Sequence, residues 1–136
     1  MEKYLFILIP LIVNVISQII KYIIELISKK KTSIKRLFDG AGGFPSSHTA
    51  LVTSLCTVIG IKLGYDSPYF AIATIFSLIV IYDALHLRHE VGLHAKHLNK
   101  HFKEKDFKED VGHTLPQVIG GLVLGIVLTY ILTNIF

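Results

Sequence analysis

The chain is poor in the residues that soluble folds and metal centres rely on. Only one of its 136 residues is cysteine, Cys56, which excludes an internal disulfide and any cysteine-rich metal site. It reads as a small packing residue. Charge is also scarce: 18% of residues are Asp, Glu, Lys or Arg, 51% are hydrophobic, and the mean hydropathy is +0.57. That is too apolar for an ordinary soluble domain of this size. No internal repeat occurs, and no low-complexity stretch apart from the lysine-rich run at 29–36. The first apolar stretch lacks a small-residue cleavage site and is too long for a secretory leader, so it reads as a retained span.

What is present is a membrane pattern. Four apolar segments stand out: Tyr4 to Ile27, His48 to Leu63, Tyr69 to His86, and Pro116 to Phe136. A spanning helix takes about 20 residues, so the second is short and the others qualify. The expectation is an all-α integral membrane helical bundle, a single domain over residues 1–136, with about four transmembrane helices and a cytoplasmic interfacial helix. A soluble bundle of unusually apolar helices is the competing architecture.

Basic residues are nearly missing from one side of this arrangement. The segments 28–47 and 87–115 carry Lys29, Lys30, Lys31, Lys35, Arg36, Arg88, Lys96, Lys100, Lys103, Lys105 and Lys108, against Lys3 and Lys62 on the other side. The positive-inside rule then puts both long segments in the cytoplasm and both termini outside, in a cell inner membrane. The net charge of +4 is explained by anionic lipid headgroups and does not call for nucleic acid.

This topology brings three polar motifs to one membrane face. In "GGFPSSH" (42–48), glycines permit backbone conformations that other residues avoid, and Pro45 with Ser46 resembles a helix start. Free backbone N–H groups and the hydroxyls of Ser46 and Ser47 make an anion cradle. Simple helix capping by either serine is the alternative. His48, beside the cradle, has a side chain that can donate a proton to a leaving oxygen. On the first span Lys21 shares a face with Asn14 and Gln18, and an ionisable group inside a membrane helix is a functional candidate. A lysine that snorkels to the interface competes with that reading. Arg88 offers a planar fork of donors to phosphate oxygens, with Asp83 as an orienting partner of Arg88 or Lys21. In "VGHTLPQV" (111–118), the spacing of His113 and Gln117, if helical, sets the amide oxygen against the ring, leaving the other ring nitrogen to attack phosphorus.

The combination of "GGFPSSHTA", "YDALHLRHEVGLHAKHLN" and "VGHTLPQVIGGLVLG", preceded by "NVISQIIK", resembles the divergent branch of the type 2 phosphatidic acid phosphatase superfamily, whose relatives include acid phosphatases and vanadium-dependent haloperoxidases. The resemblance covers essentially the whole chain. It implies hydrolysis of a lipid phosphate monoester or diphosphate through a phosphohistidine, with a phospholipid or polyprenyl phosphate as substrate and no cofactor or metal. It assigns His113 as nucleophile and His48 as general acid, with Lys21, Ser46, Ser47 and Arg88 binding phosphate. Asp83, Gln18 and Gly43 are supporting positions on the reading of the residues themselves, not through the resemblance. Two positions depart from the superfamily pattern. Ser47 stands where the broader superfamily has glycine, and Gln117 where an acidic residue steadies the nucleophile. Glu90, Glu109 and Asp110 are the acids that can stand in.

Two rival functions follow from the same sequence. Histidines 86, 89, 94, 97 and 101 crowd one segment, and His94, His97 and His101 share a helical face, which suggests metal binding. "HEVGLH" has one residue too many for the zinc protease HExxH motif. The second rival is a catalytically silent lipid-phosphate binder, which Gln117 would allow. With so few spans, a homodimer is expected.

Overall fold

A computed structural model describes residues 2–28, 42–102 and 107–136. Lys29, Lys30, Lys31, Lys35, Arg36, Lys103 and Lys105, on which part of the charge asymmetry rests, lie outside the described residues. The helices are α1 (Glu2–Ile27), α2 (Ser47–Leu63), α3 (Pro68–Tyr82), α4 (Arg88–Phe102) and α5 (Leu115–Ile135), and among the described residues there is no strand. Three helical stretches, Tyr4–Ile27, Pro68–Phe102 and Leu115–Ile135, are long and apolar enough to cross a membrane, and α2 is a shorter apolar helix. Their outward faces carry large apolar residues such as Ile7, Leu11, Val15, Ile72, Ile79, Val123 and Ile131. A bundle clothed in exposed leucine and isoleucine suits lipid as its solvent. The chain is an all-α membrane protein.

The short helix is the hub. α2 packs against α1, α3 and α5, and α1 also meets α5, whereas direct packing of α3 on α1 or on α5 is slight. α2 can be central because its inward residues are small: Ser47, Ala50, Thr53, Ser54 and Gly60 are all buried. Close approach of backbones, with hydroxyls bonded across, is how helices associate without a hydrophobic driving force. On α5 the seam is Val118, Gly121, Gly125 and Thr129. A Cβ at Gly121 would stand 2.4 Å from the Ser46 carbonyl oxygen, and one at Gly125 would stand 2.8 Å from that of Ala50. One turn on, Thr129 donates to the Gly125 carbonyl at 2.6 Å, so Ser54 donates to Thr129 Oγ1, also at 2.6 Å. Ser77 ties α3 to α2 by donating to the Val52 carbonyl at 3.0 Å.

On α1 the buried stripe is Leu5, Ile9, Val13, Ser17, Lys21 and Glu25. This ridge of every fourth residue packs inward along its whole length and turns from apolar to charged. Its apolar half joins Ala50 and Val58 in the core. Its charged half lies at the end of the bundle where α2 begins and α3 ends.

The third apolar segment does not stop at His86. The helix continues through a single π-helical turn, Asp83–Leu87, into α4, giving one 35-residue helical stretch from Pro68 to Phe102. No proline or glycine lies between Tyr69 and Val91 to break it.

Candidate functional site

Four chain segments converge at the charged end of α1. Lys21, the ionisable candidate of the first span, is only 3% exposed and turned into the bundle, not out to the interface. Its stem lies against Gly43: a Cβ there would meet Lys21 Cδ at 3.2 Å and Glu25 Oε1 at 3.1 Å, and Gly43 has φ of 138°, which side-chain-bearing residues rarely adopt. The glycine run therefore brings the start of α2 close to the buried lysine.

The two serines separate into different tasks. Ser46 is the N-cap of α2, and its Oγ accepts from the Thr49 N–H at 3.3 Å and from the Thr49 hydroxyl at 2.9 Å. Its own N–H donates to the Gln117 carbonyl at 2.9 Å, locking the mouth of α2 to α5. Ser47 is held from α1, where Gln18 Nε2 donates to Ser47 Oγ at 3.2 Å. A hydroxyl that accepts from an amide keeps its own proton to donate.

His113 is placed by the π turn. The Arg88 N–H bonds back five residues to the Asp83 carbonyl, and the neighbouring Ala84 carbonyl accepts from the His113 N–H at 3.1 Å. A widened turn exposes a carbonyl that a regular helix would use internally. Below it, Gly112 lies so close to His89 that a Cβ would reach His89 Cα at 2.8 Å. Arg88 Nε pairs with Asp83 Oδ2 at 3.2 Å, and each side chain is about one-third exposed, at 36% and 35%. Of the two partners sequence allowed Asp83, this ion pair is with Arg88.

Gln117 reaches the ring by a route other than a shared helix face. Thr114, not His113, is the N-cap of α5, so His113 precedes the helix. Gln117 folds back over the helix start, where its Oε1 accepts from the Thr114 N–H at 3.0 Å and faces His113 Nδ1 at 3.1 Å. A backbone N–H can only donate, which fixes that amide atom as an acceptor. His113 Nδ1 therefore carries the proton and Nε2 presents its lone pair. Burial above all holds the His113 pKa below its ordinary value. The Gln117 contact opposes this, and Lys21, His48 and Arg88 add to the lowering. No carboxylate figures among these groups, although Glu109 and Asp110 line the adjacent cavity.

The His113 and His48 rings stand 6.3 Å apart between centroids. Among the described residues, the buried side-chain polar atoms without a hydrogen-bond partner are Gln18 Oε1, His48 Nδ1 and His113 Nε2. All belong to this cluster. Buried polar atoms are nearly always satisfied, so a concentration of exceptions in one place calls for a reason, whether a catalytic role, an ordered water or an ion. A polar cavity of about 470 Å³ opens from His113 and Gln117 past Gly43, His89, Lys96 and Glu109.

The histidine-rich stretch does not assemble. His86, His89, His94, His97 and His101 are all exposed, and no group of three or more His, Cys, Asp or Glu able to hold a metal occurs among the described residues. Sequence reasoning missed Asn99, buried on α4. Asn99 Nδ2 donates to the Phe107 carbonyl at 2.8 Å and to Glu109 Oε1 at 2.9 Å, while its Oδ1 accepts from the Phe107 N–H. It fastens the segment leading to His113 onto α4. A neutral amide among lysines gave no signal in sequence. Gly92 gave only a weak one: its missing side chain leaves room for the Glu109 carbonyl, 2.3 Å from where a Cβ would be.

A family model described as the Divergent PAP2 family matches residues 3–128. The chain belongs to the Divergent PAP2 family. It is also 33% identical over 142 aligned residues to an uncharacterized membrane protein, YuiD, of Bacillus subtilis strain 168, covering 90% of this chain and 89% of that one. No solved structure matches. Membership establishes a membrane protein related to phosphatases and agrees with the resemblance read from the three polar motifs.

Proposed function

We propose that the chain is a membrane lipid phosphatase, hydrolysing a phosphate monoester or diphosphate of a lipid through a phosphohistidine. The observation that supports this reading best is the cluster of buried, unpartnered polar atoms between Lys21, Ser47, His48 and His113. A phosphate there takes donors from Ser47, from the first N–H groups of α2 and from the buried Lys21, with Arg88 at the rim. Ser46 acts by holding α2 in place.

The chemistry balances on the two rings. His113 Nε2 attacks phosphorus, the bond to the lipid oxygen breaks, and that oxygen takes a proton from His48. Water then attacks the phosphohistidine and gives a proton back to His48, releasing inorganic phosphate and neutral His113. The site faces the cytoplasm, in an inner membrane with both termini outside, and the working unit is a homodimer.

The test is phosphate release by purified protein in detergent from phosphatidic acid, phosphatidylglycerophosphate and a polyprenyl diphosphate. Turnover of at least one, abolished in a well-folded His113→Ala variant, is the expected result. Binding of these lipids without turnover would reject the phosphatase in favour of a lipid-phosphate binder.

A further inference from the structure

The two histidines open onto different surroundings. His113 lines the polar cavity and is absent from the apolar groove, while His48 lines the groove and is absent from the polar cavity. The groove, about 390 Å³, runs between α1, α2 and α3 and is walled by hydrocarbon: Pro10 and Leu11 of α1, Leu51 and Leu55 of α2, Phe76 and Val80 of α3. It exists because α1 and α3 each pack on α2 and hardly on one another. Its lip is lipid-facing, with Leu11 and Phe76 about half exposed, so it opens sideways into the bilayer. From His48 to Leu55 the helix rises by about 10 Å.

We infer that this groove holds the hydrocarbon chain esterified to the transferred phosphate, so that the leaving group is a lipid alcohol seated between α1 and α3 with its oxygen at His48. The inference rests on the phosphatase reading and adds a direction to it. In a phosphoryl transfer the attacking and leaving atoms lie roughly in line on opposite sides of phosphorus. With His113 attacking from the polar cavity, the departing oxygen is on the His48 side, and its chain continues into the surface that adjoins His48. A single chain threaded from the bilayer meets apolar side chains along the groove and a proton donor at its end. A packed helix from a second copy would close this lateral opening and bring only hydrocarbon to the groove, with no oxygen to meet the His48 ring at its end.

Chain length and groove width are the variables to change. Butyl phosphate reaches only the His48 end, whereas dodecyl phosphate extends past Leu55. In mixed micelles kcat/KM for dodecyl phosphate should exceed that for butyl phosphate by about tenfold or more, given the free energy of burying methylenes. Leu55→Trp, and more gently Leu55→Phe, should cut this preference about tenfold. Equal losses on both substrates, or no loss on either, would overturn the assignment. A second measurement does not need turnover. The chain has no tryptophan, so Phe76→Trp provides a single tryptophan at the lip, excited apart from the tyrosines at the red edge of its absorption. An alkyl phosphate brominated along its chain should quench it more than an equally brominated phosphatidylcholine, and vanadate should remove the excess. Equal quenching by the two lipids would reject the groove. If no phosphate is hydrolysed, the phosphatase reading fails, and the quenching comparison still decides whether the groove binds the chain.

Discussion

The most informative substitution is Gln117→Glu. A carboxylate retains both acceptor contacts, to the Thr114 N–H at 3.0 Å and to His113 Nδ1 at 3.1 Å, and changes little but charge. On the proposed phosphohistidine route its effect should grow as His113 attacks phosphorus, because the ring would then become cationic with the new anion directly behind it. Two unit charges about 4 Å apart interact by about 4 kcal/mol at an effective dielectric constant near 20. Part of that is lost to desolvating the carboxylate and to its repulsion of the incoming phosphate. The net expectation is about 1.4 to 2.7 kcal/mol of extra transition-state stabilisation, or a tenfold to hundredfold rise in kcat. The assay is steady-state phosphate release by wild type, Gln117→Glu and Gln117→Ala at matched fold stability. Gln117→Ala should be slower than wild type, since it loses both the helix cap and the ring's orientation. An unchanged or lower rate in a well-folded Gln117→Glu protein would refute the reasoning and give Gln117 a task other than holding the ring.

Further outcomes follow from the same geometry. Because burial and the cations around it hold the His113 pKa below 6.5, the ring stays neutral above that value, and the acidic limb of kcat/KM should fall below pH 6.5; Lys21→Gln removes a cation and should move the limb of the residual activity upward. Gly121→Val would drive a side chain into the Ser46 carbonyl and should cost about 1–3 kcal/mol in detergent unfolding, with loss of activity as α2 and α5 separate. Turnover should survive a chelator and be suppressed by vanadate; loss on chelation with rescue by zinc would return attention to the histidine-rich helix. A reporter fused after Phe136 should be external, and a cytoplasmic signal from it would move the site to the opposite membrane face.

The sequence made the membrane architecture legible because composition and span length are physically forced: a backbone in lipid must satisfy its own hydrogen bonds, and apolar runs of this length leave few other folds. Lys21 with Gln18 was legible for a related reason, since polar groups in a span turn toward protein, and both do so here. The π turn at Asp83–Leu87 was not legible. It depends on where the Ala84 carbonyl finds its donor, and that donor, the N–H of His113, is 29 residues away. The glycine seam of α5 could have been read from the spacing of Gly121 and Gly125, since small residues four apart let helix backbones approach.

The His113–Gln117 contact shows why correct proximity can come from the wrong geometry. A spacing of four suggested two residues stacked on one helical face, where ring and amide meet side by side. Instead the chain turns at Thr114, and Gln117 meets the ring because it is also the residue that caps the helix start. That second duty matters for chemistry. On a plain helical face the amide can turn either its oxygen or its nitrogen to the ring, and the wrong choice would give the wrong tautomer. Here the Thr114 N–H accepts only one of those orientations, and the oxygen is held toward Nδ1. The fold thus selects the tautomer that leaves Nε2 without a partner, and it does so with a neutral amide where the proposed chemistry would also draw on a negative charge.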